Sequence, residues 1–396
     1  MMNRDRSPGS DARKVVVVGG GIAGVESALT LALGCPDADV TLVSQWPSLR
    51  ILPNLVYVPL GMSPSRIDTP LEVALDAVGA RLHIGVAERI DRSTQTVICD
   101  NAVIAYDVLI ACPGTIPAPV DGFPLRSLDD ALRLRAALEA LPATPHPSIV
   151  LRQLHDDAWT APLYELAMLL RAWLIAIGRE HVNVTVATSD SSPFLLFGSV
   201  TCSDLVNAAL DELGIEVIRS IPHGRIEGIS GDVNIDFGPM HARSIPGLGF
   251  VDPDGYYRVR ADGSIADRHF VVGDAAHLPF KAAFATSWQA RRVVQAIGGD
   301  LSLCGAEIDG VPITHCEYQM DMVHRTLVAR IPCSSHLDHL SADTRADVHT
   351  RIDPPDKLQG TLIKQYLHPD RYQMHAPRRF HDWLGMHDMS MSRVRA

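Results

Sequence analysis

A run of glycines near the start of the chain is the first candidate for chemistry. Val15–Val18 leads into Gly19-Gly20-Gly21-Ile22-Ala23-Gly24, with the spacing G-x-G-x-x-G, and an alanine-rich helical stretch follows. A strand, a glycine turn and a helix start place backbone N–H groups where they can face a pyrophosphate. Gly19 permits the turn, Gly21 lets phosphates approach, and Gly24 lets the helix pack against the strand. We therefore predict dinucleotide binding, with a glycine turn that has no ligand as the alternative.

Two later segments carry polar residues at strand ends. One is Tyr106-Asp107-Val108-Leu109-Ile110-Ala111-Cys112-Pro113-Gly114; the other is Phe270-Val271-Val272-Gly273-Asp274-Ala275-Ala276, followed by Lys281. Together with the glycine turn, these segments resemble flavoproteins that have two dinucleotide-binding domains. The motif Pro162-Leu163-Tyr164-Glu165 and the loop from Leu52 to Gly61 are similar to the sulfide:quinone oxidoreductase and flavocytochrome c sulfide dehydrogenase branch, to which type II NADH dehydrogenases are related.

This resemblance implies a site for FAD. The glycine turn would hold the pyrophosphate, with the N–H groups of Ile22 and Ala23 at the helix start. Asp274 would accept a hydrogen bond from a ribityl hydroxyl, and Gly273 would let the ligand approach. Lys281 and a helix start near Ala283 would stabilise negative charge on the flavin ring, with an exposed loop lysine as the alternative. The other residues expected along the cofactor are Ser44, Gln45, Val86, Ala111, Cys112 and Gly114.

One of these positions departs from the family's usual residue in a way that weakens binding, and two others allow a second interpretation. The acid that normally ends the second strand is replaced by Ser44, followed by Gln45, so a ribose hydroxyl would meet a neutral partner and bind it more weakly. Cys112 stands where the family has threonine, and a small buried hydrophobe is the alternative to a thiol beside the cofactor. Val86 lies where the family's backbone contacts adenine, or else it ends a core strand.

A second strand–helix unit lacks the features of a nucleotide site. Its turn, within residues 151–162, contains no glycine and carries Asp156 and Asp157. Side chains in this turn block a close approach to a pyrophosphate, and the two carboxylates repel it. We therefore expect a degenerate module, and NAD(P)H use is doubtful.

The redox cysteines of the resembling family are incomplete. One should lie three residues before the Pro162–Glu165 motif, where this chain has Trp159, and Cys333 would have no partner. A single thiol cannot close the disulfide on which two-electron sulfur transfer relies. We therefore expect a substrate on the flavin face near Trp159, Lys281 and Cys333, without the family's sulfide chemistry, and we predict no metal site.

Three functions remain open. The first is an FAD-dependent oxidoreductase that transfers electrons or hydride between the flavin and a small organic or quinone-like substrate. The second is a type II NAD(P)H:quinone reductase with an atypical NAD site. The third is a non-catalytic subunit that keeps the FAD fold. We favour the first, because the FAD motifs are retained together.

The elements that position these residues alternate between strands and helices. This alternation predicts an α/β fold of two Rossmann-like, doubly wound, three-layer modules with a smaller α+β C-terminal region. We predict an FAD-binding domain in two parts, 13–125 and 241–302, a second, degenerate NAD-binding-like domain over 126–240, and the C-terminal region over 303–396.

Composition restricts the partners and the location. A formal net charge of −11 argues against nucleic acid, whose phosphates demand clustered lysine and arginine. Seven scattered cysteines without C-x-x-C fit a reducing cytoplasm. The first residues do not resemble a secretory signal, and no apolar run reaches the ~18 residues that span a bilayer. Phe380–Met386 could touch a membrane surface, although ordinary packing is favoured. We expect a cytoplasmic homo-oligomer.

Overall fold

Strands and helices alternate from the start of the region that the structure describes. The computed structural model describes residues 12–142, 145–155, 160–193, 200–278, 281, 283–300, 307–308, 311–312, 315–323, 325–332 and 347–352. The first elements are β1 (Arg13–Val18), α1 (Ile22–Gly34), β2 (Ala38–Ser44), β3 (Ser48–Arg50), β4 (Asp68–Pro70), α2 (Glu72–Val78), β5 (Arg81–Ile84), β6 (Ala87–Asp91), β7 (Thr96–Cys99), β8 (Val103–Ala105), β9 (Val108–Ala111), β10 (Thr115–Pro117) and β11 (Phe123–Pro124). Two 3₁₀ segments, Leu52–Leu60 and Pro64–Arg66, lie between β3 and β4.

A second series of elements follows and then returns to the first sheet. It comprises α3 (Leu128–Glu139), β12 (Ser148–Gln153), α4 (Ala161–Ala176), β13 (Asn183–Ala187), α5 (Val200–Glu212), β14 (Glu216–Ile218), α6 (His223–Ile226) and β15 (Val233–Phe237). The return is made by β16 (Met240–Ala242), β17 (Ser264–Ala266), β18 (His269–Val271) and α7 (Ala283–Ala296). The described strands after them are β19 (Glu307–Ile308), β20 (Val311–Pro312), β21 (His315–Asp321), β22 (Arg325–Pro332) and β23 (Asp347–Ile352).

Two parallel sheets organise these elements and confirm the predicted α/β fold. The first has the order β17–β18–β9–β1–β2–β5, with only the β17–β18 pair antiparallel; the second has the order β11–β15–β12–β13–β14 and is parallel throughout. In each sheet the carboxyl ends of the strands meet at one edge, which is where ligands bind in such folds. β11 lies in the second sheet although it precedes the predicted boundary at residue 125.

The burial pattern explains why these segments form central strands. Val15–Val18 are at most 4% exposed, as expected for a parallel strand whose two faces are covered. One core lies between the first sheet and helices α1, α2 and α7. Another joins the second sheet to the Leu52–Leu60 segment and to Met320 and Leu327 of the C-terminal strands. The Leu52–Leu60 segment, which lies between β2 and β5 of the first sheet in the sequence, therefore packs in the core of the second sheet.

Helix α3 begins with a complete capping box. Ser127 Oγ accepts the N–H of Asp130, and the Asp130 carboxylate accepts the N–H of Ser127 at 3.0 Å. These bonds satisfy N–H groups that a helix start otherwise leaves without partners. Within the described residues, no helix has both the length and the apolar character needed to cross a membrane.

Candidate functional site

The glycine turn after β1 is closed on the protein side and open on the other. Gly19 has φ of +117° and donates to Val43 O at 2.8 Å. A Cβ on Gly19 would overlap the carbonyl oxygen of Cys112, and one on Gly24 would overlap that of Gly19, both well inside 3.0 Å. A Cβ on Gly21 would meet nothing within 4 Å. Gly19 and Gly24 therefore serve packing, whereas Gly21 faces open space, as the spacing predicts.

Helix α1 starts at this open face without a side-chain cap. Gly21 is its N-cap residue and Ile22 its first residue, and the first turn contains no acidic side chain. The early N–H groups of a helix lack intrahelical partners, and the helix dipole adds partial positive charge there. The N–H groups of Ile22 and Ala23 are therefore available to an anion.

The segment after β18 is pressed against the first turn of α1. Gly273 has φ of +91°, and a Cβ on it would lie 2.5 Å from Cβ of Ala23. The Gly273 N–H donates to Oε1 of Gln289, which holds the segment from α7. This close approach places Asp274 beside the helix start, so the structure brings together Gly21, Ala23, Gly273 and Asp274 as the sequence predicts.

The Asp274 carboxyl, next to the start of α1, is the second polar group of the candidate site. The side chain is exposed, and it makes no hydrogen bond or ion pair with any residue that the structure describes. Enough protein surrounds the carboxyl that desolvation raises its pKa, while the charges of Lys281 and Arg126 act in the opposite direction. An acceptor in such surroundings is suited to hydroxyl groups of a ligand.

Arg126 is a candidate site residue that the sequence reasoning missed. It directly precedes the capping box of α3, which fixes its backbone, and its buried Nη2 atom has no hydrogen-bond partner among the described residues. Desolvation lowers the pKa of this guanidinium, and Asp274 and Tyr256 act in the opposite direction. A cation next to a helix N-terminus is electrostatically unfavourable because of the helix dipole. An arginine directly before the start of α3 is therefore the sequence signal that could have identified Arg126.

Lys281 lies two residues before the start of α7 at Ala283. Its Nζ donates to the carbonyl oxygen of Ala276 at 2.5 Å and lies 3.7 Å from the ring centroid of Tyr256. The ammonium is thereby held near Asp274, whose carboxyl feels its charge. Lys281 is half-buried just before a helix start, and its role beside the flavin ring stays a prediction.

The end of β9 supports the turn but offers no reactive thiol. Ala111 pairs with Val18 and Val271 in the sheet. Cys112 is 5% exposed, its Sγ lies 3.8 Å from Ser27 Oγ, and burial raises the pKa of the thiol to about 12. These observations favour the small buried hydrophobe over a reactive thiol beside the cofactor. Gly114 has φ of +67° with open space around it.

Two expected adenosine contacts have other partners in the structure. The Ser44 hydroxyl is 2% exposed, donates to Trp46 O at 2.7 Å and accepts the Trp46 N–H at 3.2 Å, whereas Gln45 beside it is exposed. The N–H and carbonyl oxygen of Val86 bond to Asp100 at 2.9 and 3.1 Å. Local partners thus already use the groups that the sequence analysis expects to contact ribose and adenine, and those two contacts stay predictions.

The proposed substrate face is only partly within the described residues. Trp159 and Cys333 lie outside them. Asp252, Asp254 and His277 offer potential metal ligands within 4.8 Å of one another, but Arg258 pairs with both carboxylates at 3.1 and 3.4 Å. That arrangement is an ion-pair network in which the arginine already supplies the positive charge.

At the carboxyl edge of the second sheet, polar side chains bond to each other. Gln153 and Thr188 are at most 1% exposed, and the Thr188 hydroxyl donates to Oε1 of Gln153. The Thr188 oxygen also accepts the N–H of Asp190 at 3.0 Å. One residue back from Gln153, Arg152 forms a buried two-point ion pair with Asp236 at 2.7 and 2.8 Å. These contacts use polar groups that a nucleotide would otherwise contact.

Comparisons with known proteins agree with this architecture. No protein-family model matches the chain. A sulfide-quinone reductase from Aquifex aeolicus is 30% identical over 195 residues, which is 46% of this chain and 44% of that protein, so the match spans less than half of the relative.

The structural matches extend further along the chain. The sulfide:quinone oxidoreductase structure from Aquifex aeolicus superposes with a TM-score of 0.72 over 95% of both chains at 20% identity. A ferredoxin reductase from Rhodopseudomonas palustris superposes with a TM-score of 0.57 over 81% of this chain and 83% of that one at 16% identity. The chain therefore has the α/β fold of these two reductase structures, and over 195 residues it is similar in sequence to a sulfide-quinone reductase.

Proposed function

We propose that this chain is an FAD-dependent oxidoreductase that passes electrons between the flavin and a small organic or quinone-like substrate. One observation carries the proposal: the open glycine turn lies beside Asp274, whose carboxyl feels the charge of Arg126, and among the described residues neither that carboxyl nor the buried Arg126 nitrogen has a hydrogen-bond partner. Acceptor, donor and free backbone N–H groups in one place fit a ligand with both phosphates and hydroxyls. The relatives described above, named as reductases and oxidoreductases, support the redox assignment.

The residues have separate tasks toward FAD. The N–H groups of Ile22 and Ala23 would bind the diphosphate, Arg126 would add a positive charge, and Asp274 would accept from a ribityl hydroxyl. Lys281 would place positive charge beside the flavin ring. When bound, the flavin supplies the two-electron chemistry, and the protein orients the substrate and tunes the ring.

The second sheet favours a substrate other than NAD(P)H. Its first turn has no glycine, and Gln153, Thr188 and Asp190 bond to each other at the edge where a dinucleotide binds. A type II NAD(P)H:quinone reductase is the second candidate, because the fold retains this second module. A non-catalytic subunit is the third, since the second glycine motif is absent and Trp159 replaces a family cysteine.

A quinone substrate agrees with the names of the relatives, whereas sulfide oxidation through a cysteine pair fits this chain less well. Cys35, Cys99, Cys112 and Cys202 form no disulfide, and burial raises the pKa of the Cys112 and Cys202 thiols to about 12. A protonated buried thiol is a poor nucleophile. The cytoplasmic location, the homo-oligomer and the absence of a metal remain predictions.

The absorption spectrum of the full-length protein tests the proposal. We expect flavin bands after purification or after reconstitution with FAD, bleaching by dithionite and no bleaching by NADH or NADPH. Asp274→Ala should reduce FAD retention, whereas Asp267→Ala, an exposed carboxylate at the other end of β18, is the matched control and should not. Bleaching by NADH would instead select the quinone reductase. A folded protein that takes up no FAD would overturn the redox function.

A further inference from the structure

Tyr256 is a buried aromatic residue that contacts one cation of the candidate site and influences the other. Its side chain is 4% exposed, and the Lys281 ammonium lies 3.7 Å from the centroid of its ring. Tyr256 also acts to raise the pKa of the Arg126 guanidinium. The face of an aromatic ring attracts a cation through its quadrupole, and more strongly where water is excluded. Tyr256 therefore binds the lysine through a contact that supplies no negative charge.

The backbone around Tyr256 is fixed by the buried carboxylate of Asp252. Oδ1 of Asp252 accepts the N–H of Tyr256 at 3.0 Å, and the Asp252 N–H donates to the carbonyl oxygen of Tyr256 at 2.8 Å. The other oxygen of Asp252 contacts Arg258 at 3.1 Å and His277 at 2.8 Å. The His277 imidazole lies edge-on to the Tyr256 ring at a centroid distance of 6.1 Å. These contacts hold the ring in one place, from which it can locate the ammonium.

A second anchor for the ammonium comes from the segment that carries Asp274. Tyr257 donates its N–H to the carbonyl oxygen of Ala275 at 2.9 Å and pairs with Ala276 in a parallel bridge, so this segment lies alongside the tyrosine pair. The Lys281 Nζ donates to the carbonyl oxygen of Ala276 at 2.5 Å. The ammonium is therefore held by a backbone oxygen and a ring face together.

Asp274 is the natural competitor for this ammonium. Its carboxyl feels the charge of Lys281, yet it makes no hydrogen bond or ion pair with any residue that the structure describes. An ammonium and a carboxylate within reach of each other attract strongly, and a direct pair would use the charge of both. The ring and the Ala276 carbonyl bind the ammonium without neutralising it, which leaves both charges available to a ligand.

We propose that Tyr256 is a positioning residue that keeps the Lys281 ammonium off Asp274 and directed at the flavin ring. This role depends on the proposed FAD site and deepens it by assigning the residue that keeps the two charges apart. With the ring in place, Lys281 stabilises the negative charge that the flavin gains on reduction, and Asp274 accepts from a ligand hydroxyl. Without the ring, Lys281 pairs with Asp274 and both contributions fall.

The flavin reduction potential of the FAD-loaded, full-length protein tests this role. Tyr256→Leu should lower the potential, so that the affinity of reduced FAD relative to oxidised FAD falls by roughly 2- to 30-fold, the range of one cation–π contact. Tyr256→Phe keeps the aromatic face and should keep the potential. Combined with Lys281→Met, Tyr256→Leu should add little further loss, because both substitutions remove the same contact.

Tyr106→Leu is the matched control for the loss of a buried ring. Tyr106 is 2% exposed in the same hydrophobic core as Tyr256, and its hydroxyl bonds to His269 at 2.9 Å. Its replacement should lower the stability without moving the potential. Pentafluorophenylalanine at position 256 serves where Tyr256→Leu does not fold, since it keeps the shape of the ring and reverses the quadrupole; it should lower the potential as leucine does.

The outcomes separate this role from the proposed function. If the potential is unchanged with leucine or pentafluorophenylalanine at position 256, Tyr256 does not position the lysine and the FAD site stands. An equal fall in Tyr256→Phe or in Tyr106→Leu, or full additivity with Lys281→Met, also overturns the role. An unmodified protein that takes up no FAD overturns both the role and the proposed function.

Discussion

Replacing Gly21 by alanine should preserve the fold and weaken FAD binding, whereas Gly24→Ala should weaken the fold itself. Gly21 has φ of −78° and ψ of −177°, which alanine adopts freely, and a Cβ there meets nothing within 4 Å. Alanine is a poorer N-cap than glycine, so we expect a loss of about 0.5–1 kcal/mol in the free energy of unfolding. The new methyl group would stand where the diphosphate approaches, so FAD affinity should fall by roughly 10- to 100-fold.

At Gly24, alanine has two opposing effects on stability, a gain in helix propensity and a steric clash. Alanine in a helix gains up to ~1 kcal/mol over glycine from propensity. Its Cβ would, however, overlap the backbone oxygen of Gly19 far inside 3.0 Å, and backbone cannot rotate away as a side chain can. The helix would have to retreat by more than about 1 Å, and overpacking of this kind costs about 1–3 kcal/mol or more. The clash outweighs the propensity, so we expect a net loss of stability.

Urea unfolding of the cofactor-stripped proteins and FAD titration together measure both effects. Gly224→Ala is a suitable control, because Gly224 lies in α6 and a Cβ on it also meets nothing within 4 Å. It should leave FAD affinity unchanged. Unaltered FAD affinity in Gly21→Ala would refute the assignment of the open face, and a Gly24→Ala protein as stable as the original would refute the packing argument.

The remaining predictions concern charged side chains and one buried thiol. Arg152→Met should lower the free energy of unfolding by about 3–5 kcal/mol in urea, because it leaves Asp236 buried without its partner, while the flavin spectrum stays the same. Asp274→Asn should make the stripped protein more stable at neutral pH, because desolvation by the surrounding protein raises the carboxyl's pKa and penalises its charged form. Thermal scans should show this gain vanish as the pH falls towards 3.8. Cys112 should resist iodoacetamide at pH 8 in the folded protein and react after unfolding, by mass spectrometry. Lys281→Met should lower the flavin reduction potential in a spectrophotometric titration, and an unchanged potential would count against its role.

Local patterns predicted the parts of the site that depend on neighbouring residues. Four valines and G-x-G-x-x-G specify a covered strand, a turn with positive φ at Gly19 and a helix start, because each depends on a few consecutive torsions. Gly273 and Asp274 were identified through the resemblance, and the structure places them against Ala23. Arg126 was missed because its capping box is local, whereas its electrostatic partner Asp274 comes from a distant strand.

The amino-acid sequence by itself determined the alternation of strands and helices, the open turn at Gly21 and the loss of glycine in the second module. Only the tertiary structure decided which polar groups remain available to a ligand. Among the residues that the structure describes, the Ser44 hydroxyl and the Val86 backbone have hydrogen-bond partners, whereas the Asp274 carboxylate and the buried Arg126 nitrogen have none. The physical reason is that secondary structure follows from local torsions and burial, whereas a hydrogen bond goes to whichever partner the folded chain brings within reach.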